Sequence, residues 1–124
     1  MTRRILVVDD EEAIRAIVKA SLEFTAGWKV STAASALDGL KMAKSEIPDA
    51  VLIDVMMPDL SGVELLKQMR SHPLTANIPA IFLTAQADTA VQERLSLLGE
   101  GVILKPFEPV AIAQKIASIL GWAG

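Results

Sequence analysis

Ala50-Val51-Leu52-Ile53 is apolar without alternation and breaks off at Asp54. A loop closed by Pro58 follows, and then Ser61-Gly62-Val63-Glu64 opens a helical pattern. A continuous short apolar run marks a strand buried on both faces, which is the habit of a parallel sheet. The unit recurs along the chain. Ile5-Leu6-Val7-Val8 stops at Asp9-Asp10, and Pro79-Ala80-Ile81-Phe82-Leu83 runs to Thr84. Val102-Ile103-Leu104 stops at Lys105-Pro106. Strands separated by single helices cannot pair as hairpins. They demand right-handed crossovers and helices on both faces of the sheet.

Helical spacing fills the gaps between these runs. Ile14, Ile17, Val18 and Leu22 predict a helix from Ala13 to about Thr25, stopped by Ala26-Gly27. Trp28–Thr32 alternates, so it reads as a second strand nearer an edge. Ser35 is the expected cap of a second helix, with Ala36, Leu37, Leu40, Ala43 and Ile47 inward and Pro48 beyond its end. Ser61-x-x-Glu64 is a capping box for a third, with Leu65, Leu66 and Met69 inward, ending at Ser71-His72-Pro73. Ala87, Ala90, Val91, Leu95 and Leu98 predict a fourth, halted by Gly99 and Gly101. The last begins near Glu108-Pro109, buries Ile112, Ile116, Ile119 and Leu120, and closes at Gly121. Five strands thus alternate with five helices in an α/β domain. Periodicity does not give the strand order.

Composition excludes several chemistries. There is no cysteine among the 124 residues, so disulfides, thiolate metal sites and thiol nucleophiles are ruled out. The net charge of −3 offers no pull on nucleic acid or anionic membranes. No apolar run approaches the roughly 20 residues of a membrane span, and Asp9 and Asp10 interrupt the apolar opening, so no signal peptide is expected. The length suits one domain covering residues 1–124. The sequence stops soon after the last helix, so no output domain is expected within it, whether it stands alone or is a domain of a longer protein, and the expected location is cytoplasmic.

In a parallel sheet all strand exits lie on one edge. Asp9 and Asp10, Asp54, Thr84 and Lys105 therefore converge. Two carboxylates about 4 Å apart repel by roughly 1 kcal/mol in water and several times that near a protein surface. A hard divalent cation is the natural compensation; Mg²⁺ takes one or two carboxylates, waters and a phosphate. Lys105 adds a positive charge and Thr84 a hydroxyl donor. A carboxylate can itself attack phosphorus, so the parts for phosphoryl transfer are present. This requires Asp54 to be open and within a metal's reach of Asp9 and Asp10.

Each residue also has a plainer reading. Asp9-Asp10-Glu11-Glu12 could be only an acidic helix start. Asp54 or Thr84 could cap a helix, and Lys105 could be surface charge. His72, the single histidine, sits at a solvated helix end. Trp122 could cover the core edge or mark a contact surface.

Ile5–Glu11, Leu52–Pro58 followed by Gly62, Phe82-Leu83-Thr84-Ala85 and Leu104-Lys105-Pro106-Phe107 together resemble the receiver domain of two-component response regulators, over essentially the whole chain. The resemblance implies a flavodoxin-like, CheY-like fold with sheet order 2-1-3-4-5. It implies that Asp54 accepts a phosphoryl group from a phosphohistidine on a sensor histidine kinase or a histidine phosphotransfer protein. Asp9, Asp10, Asp54 and the backbone carbonyl of Met56 would hold Mg²⁺. Thr84 and Lys105 would engage the phosphoryl oxygens, and Met56 and Gln86 would tune its lifetime. The surface of the fourth helix, fifth strand and fifth helix would change for an unknown downstream protein target. Such a domain is a signalling switch that catalyses its own phosphorylation and dephosphorylation, not an enzyme with a separate substrate. Two features depart from the family. Val102 stands where many members carry Tyr or Phe as part of the switch, and Leu98 stands where a glycine is expected. Two rivals follow. A pseudo-receiver would bind partners without phosphorylation. A hydrolase of the haloacid dehalogenase type would need a second Asp where Met56 stands.

Overall fold

The computed structural model describes residues 2–122. Its elements run β1 (Arg4–Val8), α1 (Glu12–Ala26), β2 (Lys29–Ala33), α2 (Ala36–Glu46), β3 (Ala50–Asp54), α3 (Gly62–Arg70), β4 (Ala80–Thr84), α4 (Thr89–Leu98), β5 (Gly101–Leu104), a 3-10 turn (Pro109–Ala111) and α5 (Ile112–Leu120). The five strands form one parallel sheet in the order β2-β1-β3-β4-β5. The flavodoxin-like arrangement implied by the resemblance is therefore the fold.

The pleat sends successive strand residues to opposite faces. Leu6, Val8, Val51, Ile53 and Phe82 meet α2, α3 and α4 through Ala43, Leu65, Met69 and Leu95. Ile5, Val7, Leu52, Ile81 and Leu83 meet α1 and α5 through Val18, Leu22, Ile112 and Ile116. Every residue of β3 and β4 is buried. That is why these two strands read as unbroken apolar runs, whereas edge strand β2 alternates. Each fully buried Leu, Ile or Phe contributes about 1.5–3 kcal/mol relative to exposure. Among the described residues, no helix is long and apolar enough to cross a membrane.

The caps fall largely where expected. Ser35 Oγ accepts from the Asp38 N–H at 3.2 Å, and Ser61 Oγ from the Glu64 N–H at 3.1 Å. Gly27 closes α1 in the left-handed conformation, φ 68°, which glycine adopts without steric cost.

Three helical stripes differ from expectation. In α2, Leu37 and Ile47 are exposed; the buried residues are Ala36, Gly39 and Ala43. A Cβ at Gly39 would lie 2.7 Å from a Val8 methyl, so small residues bring this helix close to β1 and turn Leu37 outward. Ile47 is instead the left-handed end of α2, at φ 46°. The following Pro48 disfavours the right-handed α conformation at this position. In α1, Ile17 is exposed, while Val18 and Leu22 are buried. In α4, which begins at Thr89, only Leu95 is buried; Ala87, Ala90 and Leu98 are exposed. α4 lies over the short final strand, where there is less sheet to cover. Leu98 leaves the turn into β5 intact because the close approach is made at Gly99, whose Cβ would meet the Ala80 carbonyl oxygen at 2.8 Å. Trp122 covers the core edge. Its ring stands edge-on to Trp28 at 5.5 Å, and the Arg3 guanidinium lies 4.2 Å from its centroid.

Candidate functional site

All five strands point the same way, so their carboxyl ends share one edge of the sheet. Carboxylate oxygens of Asp9, Asp10 and Asp54 lie within 4.8 Å of one another. Lys105 Nζ reaches across from the end of β5, 2.9 Å from Asp9 Oδ2 and 3.4 Å from Asp54 Oδ1. Asp9 is fully buried. Its Oδ1 accepts the Glu11 N–H at 2.9 Å, and its backbone carbonyl accepts Arg15 Nη1 at 2.8 Å. Glu11, read only as part of an acidic helix start, also lies 3.5 Å from Lys105 Nζ. Its side chain gives α1 no cap. Arg15 had no signal in the sequence, because an arginine on a helix is ordinary.

Thr84 is buried at the end of β4, and its Oγ1 accepts the Gln86 N–H at 3.1 Å. It is not the cap of α4. Asp88 is, accepting the Ala90 and Val91 N–H groups. The Lys105 N–H donates to the Thr84 carbonyl at 2.8 Å, tying the two strand ends together. Val102 is half-buried, paired in register with Phe82, and has no ring to turn. The Met56 side chain and Gln86 are exposed beside the site. His72 stays out of it: Nδ1 accepts the Leu74 N–H at 3.1 Å at the end of α3.

One expectation is half wrong. Asp54 is near Asp9 and Asp10, but it is not open: it is 6% exposed. β3 is the middle strand, so its exit is flanked by β1 and β4 and roofed by Lys105. Asp10, the third member of the cluster, is exposed. This burial has an electrostatic consequence. Desolvation first, then the Asp9 charge, push the Asp54 carboxyl up to about 6, against the opposing pull of Lys105 and the Met56 N–H. For Lys105, burial alone would favour the neutral amine. Asp9, Asp54 and Glu11 more than reverse this and hold it above the ordinary lysine value.

The sign for stability follows. Unfolded, Asp54 loses its proton near 3.8; folded, near 6. Between those values the folded state binds more protons, so stability falls as pH rises through that window and stays reduced above it. A displacement of this size carries up to about 3 kcal/mol. Solvent at the Asp10 side screens part of it, leaving about 1–2 kcal/mol. Asp54→Asn is therefore expected to raise the melting temperature by several degrees at pH 7.5 without divalent cation, and the gain should shrink towards zero near pH 4. An equal gain at both pH values would rule out this origin.

The donor set fits a hard cation. It consists of oxygens only, three carboxylates within one ion's reach, with no nitrogen or sulfur ligand among them.

The molecule is thus a doubly wound α/β domain with an acidic pocket, bridged by a lysine, at its strand exits. A family model described as the response regulator receiver domain matches residues 5–117, and the chain belongs to that family. Among curated relatives, the alkaline phosphatase synthesis transcriptional regulatory protein PhoP of Bacillus subtilis (strain 168) is 39% identical over 122 residues, covering 97% of this chain and 49% of that protein. The chain thus spans about half the length of the curated relatives it matches. Chemotaxis response regulator CheY4 of Vibrio cholerae superposes with a TM-score of 0.88 at 28% identity, covering 96% of this chain and 99% of that one. A CheY-like receiver domain protein from Methanospirillum hungatei JF-1 gives 0.82 at 35% identity, covering 98% and 95%.

Proposed function

We propose that the domain is a phosphorylation switch in which Asp54 accepts a phosphoryl group from a phosphohistidine on a sensor histidine kinase or histidine phosphotransfer protein. The observation that carries this reading is the meeting of three carboxylates and one ammonium at a single sheet edge. At neutral pH Asp54 is above its displaced titration point and is ionised, as a nucleophile must be. A carboxylate oxygen of Asp54 bonds to phosphorus. The P–N bond breaks, and its electron pair returns to the imidazole nitrogen, leaving an acyl phosphate. Asp9, Asp10, Asp54 and the Met56 carbonyl would hold Mg²⁺, which supplies charge neutralisation to the transferring group.

The chain's own groups then respond. Lys105 already lies between Asp9 and Asp54, so a phosphoryl oxygen can replace a carboxylate as its partner. Thr84 Oγ1 accepts the Gln86 N–H and keeps its own proton to donate to the phosphoryl group. Drawing Thr84 inward pulls the 85–88 segment and α4. On the surface of α4, β5 and α5, Leu97 of α4 and Leu104 at the end of β5 are apolar and exposed, available to a protein target. Because Val102 carries no ring, the signal runs through Thr84 and this loop. Met56 and Gln86 flank the acyl phosphate and set how readily water reaches it. Hydrolysis at this site resets the switch.

The test is incubation with acetyl phosphate and Mg²⁺, followed by intact mass measurement. One added phosphoryl mass is expected in the wild type and none in Asp54→Asn or with EDTA. An unmodified wild type would favour a partner-binding module that is never phosphorylated. Steady turnover of a phosphate ester would favour a hydrolase.

A further inference from the structure

Between β3 and α3 the chain crosses from Val55 to Ser61. Met57 and Leu60 in this loop pack onto the core beneath it. Asp59 makes a polar tie in a different direction. Its Oδ1 accepts the Ala36 N–H at 3.2 Å and its Oδ2 the Leu37 N–H at 3.0 Å. These are first-turn donors of α2, left without intrahelical partners. Ser35 takes the next one, from Asp38. One helix start is thus capped twice, once locally and once by a carboxylate from another loop. The Leu37 N–H, then that of Ala36, hold the Asp59 carboxyl below its ordinary range, so it stays ionised throughout the neutral region.

The tie matters because of what the same loop carries. The Met56 N–H favours the ionised form of the Asp54 carboxyl. Its carbonyl is the one proposed metal ligand that is not a side chain. A backbone ligand can be placed only by fixing its loop. Loop entry is fixed by the Val55 N–H on the Leu83 carbonyl at 3.1 Å, and loop exit by the Gly62 N–H on the Val55 carbonyl at 2.9 Å. Between them Met57 and Leu60 are held by packing, and Asp59 adds the polar restraint that reaches α2.

We propose that Asp59 is a positioning residue for the phosphoacceptor site: by bridging the loop to the start of α2, it holds the Met56 backbone against Asp54 and the metal. This rests on the functional reading above. Outer partners of metal ligands typically govern 10–100-fold in affinity, and about 10-fold is expected for a single exposed tie.

The experiment compares wild type, Asp59→Ala, Asp59→Asn and Ser35→Ala. Mg²⁺ affinity is read by titration with NMR detection, and thermal melting is recorded alongside. Asp59→Ala is expected to weaken Mg²⁺ about 10-fold. Asp59→Asn, which keeps one acceptor oxygen, should fall between it and the wild type. Ser35→Ala frays the same helix end without touching the loop, so it should lower the melting temperature and leave Mg²⁺ affinity intact. Wild-type affinity in Asp59→Ala would overturn the proposal. So would an equal loss in Ser35→Ala, which would reduce Asp59 to a second helix cap. A wild type that binds no Mg²⁺ and takes no phosphoryl group would instead overturn the functional reading, and this inference with it.

Discussion

Lys105→Met is expected to cost about 3 kcal/mol of stability at neutral pH in EDTA, read as a lowered urea midpoint with an unchanged slope. Methionine keeps most of the apolar stem but removes the ammonium. Asp9 has no exposed surface, and its Oδ2 then loses its 2.9 Å partner. Removing one member of a buried pair typically costs about 3–5 kcal/mol, because the other charge is left desolvated. The lower end applies, since the Glu11 N–H still satisfies Oδ1. Asp54 loses a cation at 3.4 Å in the same step. Two rescues separate this cause from lost packing. Adding Asp9→Asn should recover much of the loss. Saturating Mg²⁺ should as well, since a ligand at 100 times its Kd contributes about 2.7 kcal/mol. A loss below about 1 kcal/mol, or one that neither rescue touches, would mean that Lys105 does not support the acidic pair.

Gly62→Ala is expected to destabilise by about 3 kcal/mol, although alanine is the better helix former. Gly62 is the first residue of α3, directly after its Ser61 cap. On propensity alone, alanine would gain up to about 1 kcal/mol. A Cβ there would lie 2.3 Å from the Asp54 carbonyl oxygen and 2.7 Å from an Ile53 methyl. Overpacking costs about 1–3 kcal/mol and more where backbone must move. Here the backbone that must move is that of Asp54, so acquisition of the phosphoryl mass should slow as well. Gly39→Ala is the comparison. The nearest neighbours of its new Cβ are atoms of the Val8 side chain, the two methyls at 2.7 and 2.9 Å, so the loss should be smaller and the acceptor unaffected. Urea unfolding of the two variants checks the order, and a reversed order would contradict the close approach of α3 to the end of β3.

Much of this was legible before any coordinates. The buried strands announce themselves because both faces of β3 and β4 are covered, which forbids alternation. Ser35 and Ser61 announce two helix starts because an N-cap is a local device. The helical stripes were less legible. Leu37, Ile47 and Ile17 are apolar at plausible spacing yet exposed, since periodicity does not say how far a helix is rotated or how much sheet lies beneath it. Arg15 and Asp59 carried no signal, and Glu11 none of its contact with Lys105, because their partners are chosen across the fold or by a turn of helix.

The amino-acid order alone determined that β and α units alternate, and hence that Asp9, Asp10, Asp54, Thr84 and Lys105 share one edge. That follows from the polarity of a parallel sheet and needs no distances. Only the tertiary structure decided that Asp54 is covered rather than open, that Lys105 stands between two carboxylates, and that a loop carboxylate pins the neighbouring helix. Those depend on ångström separations between segments up to 96 residues apart, which local preferences cannot encode.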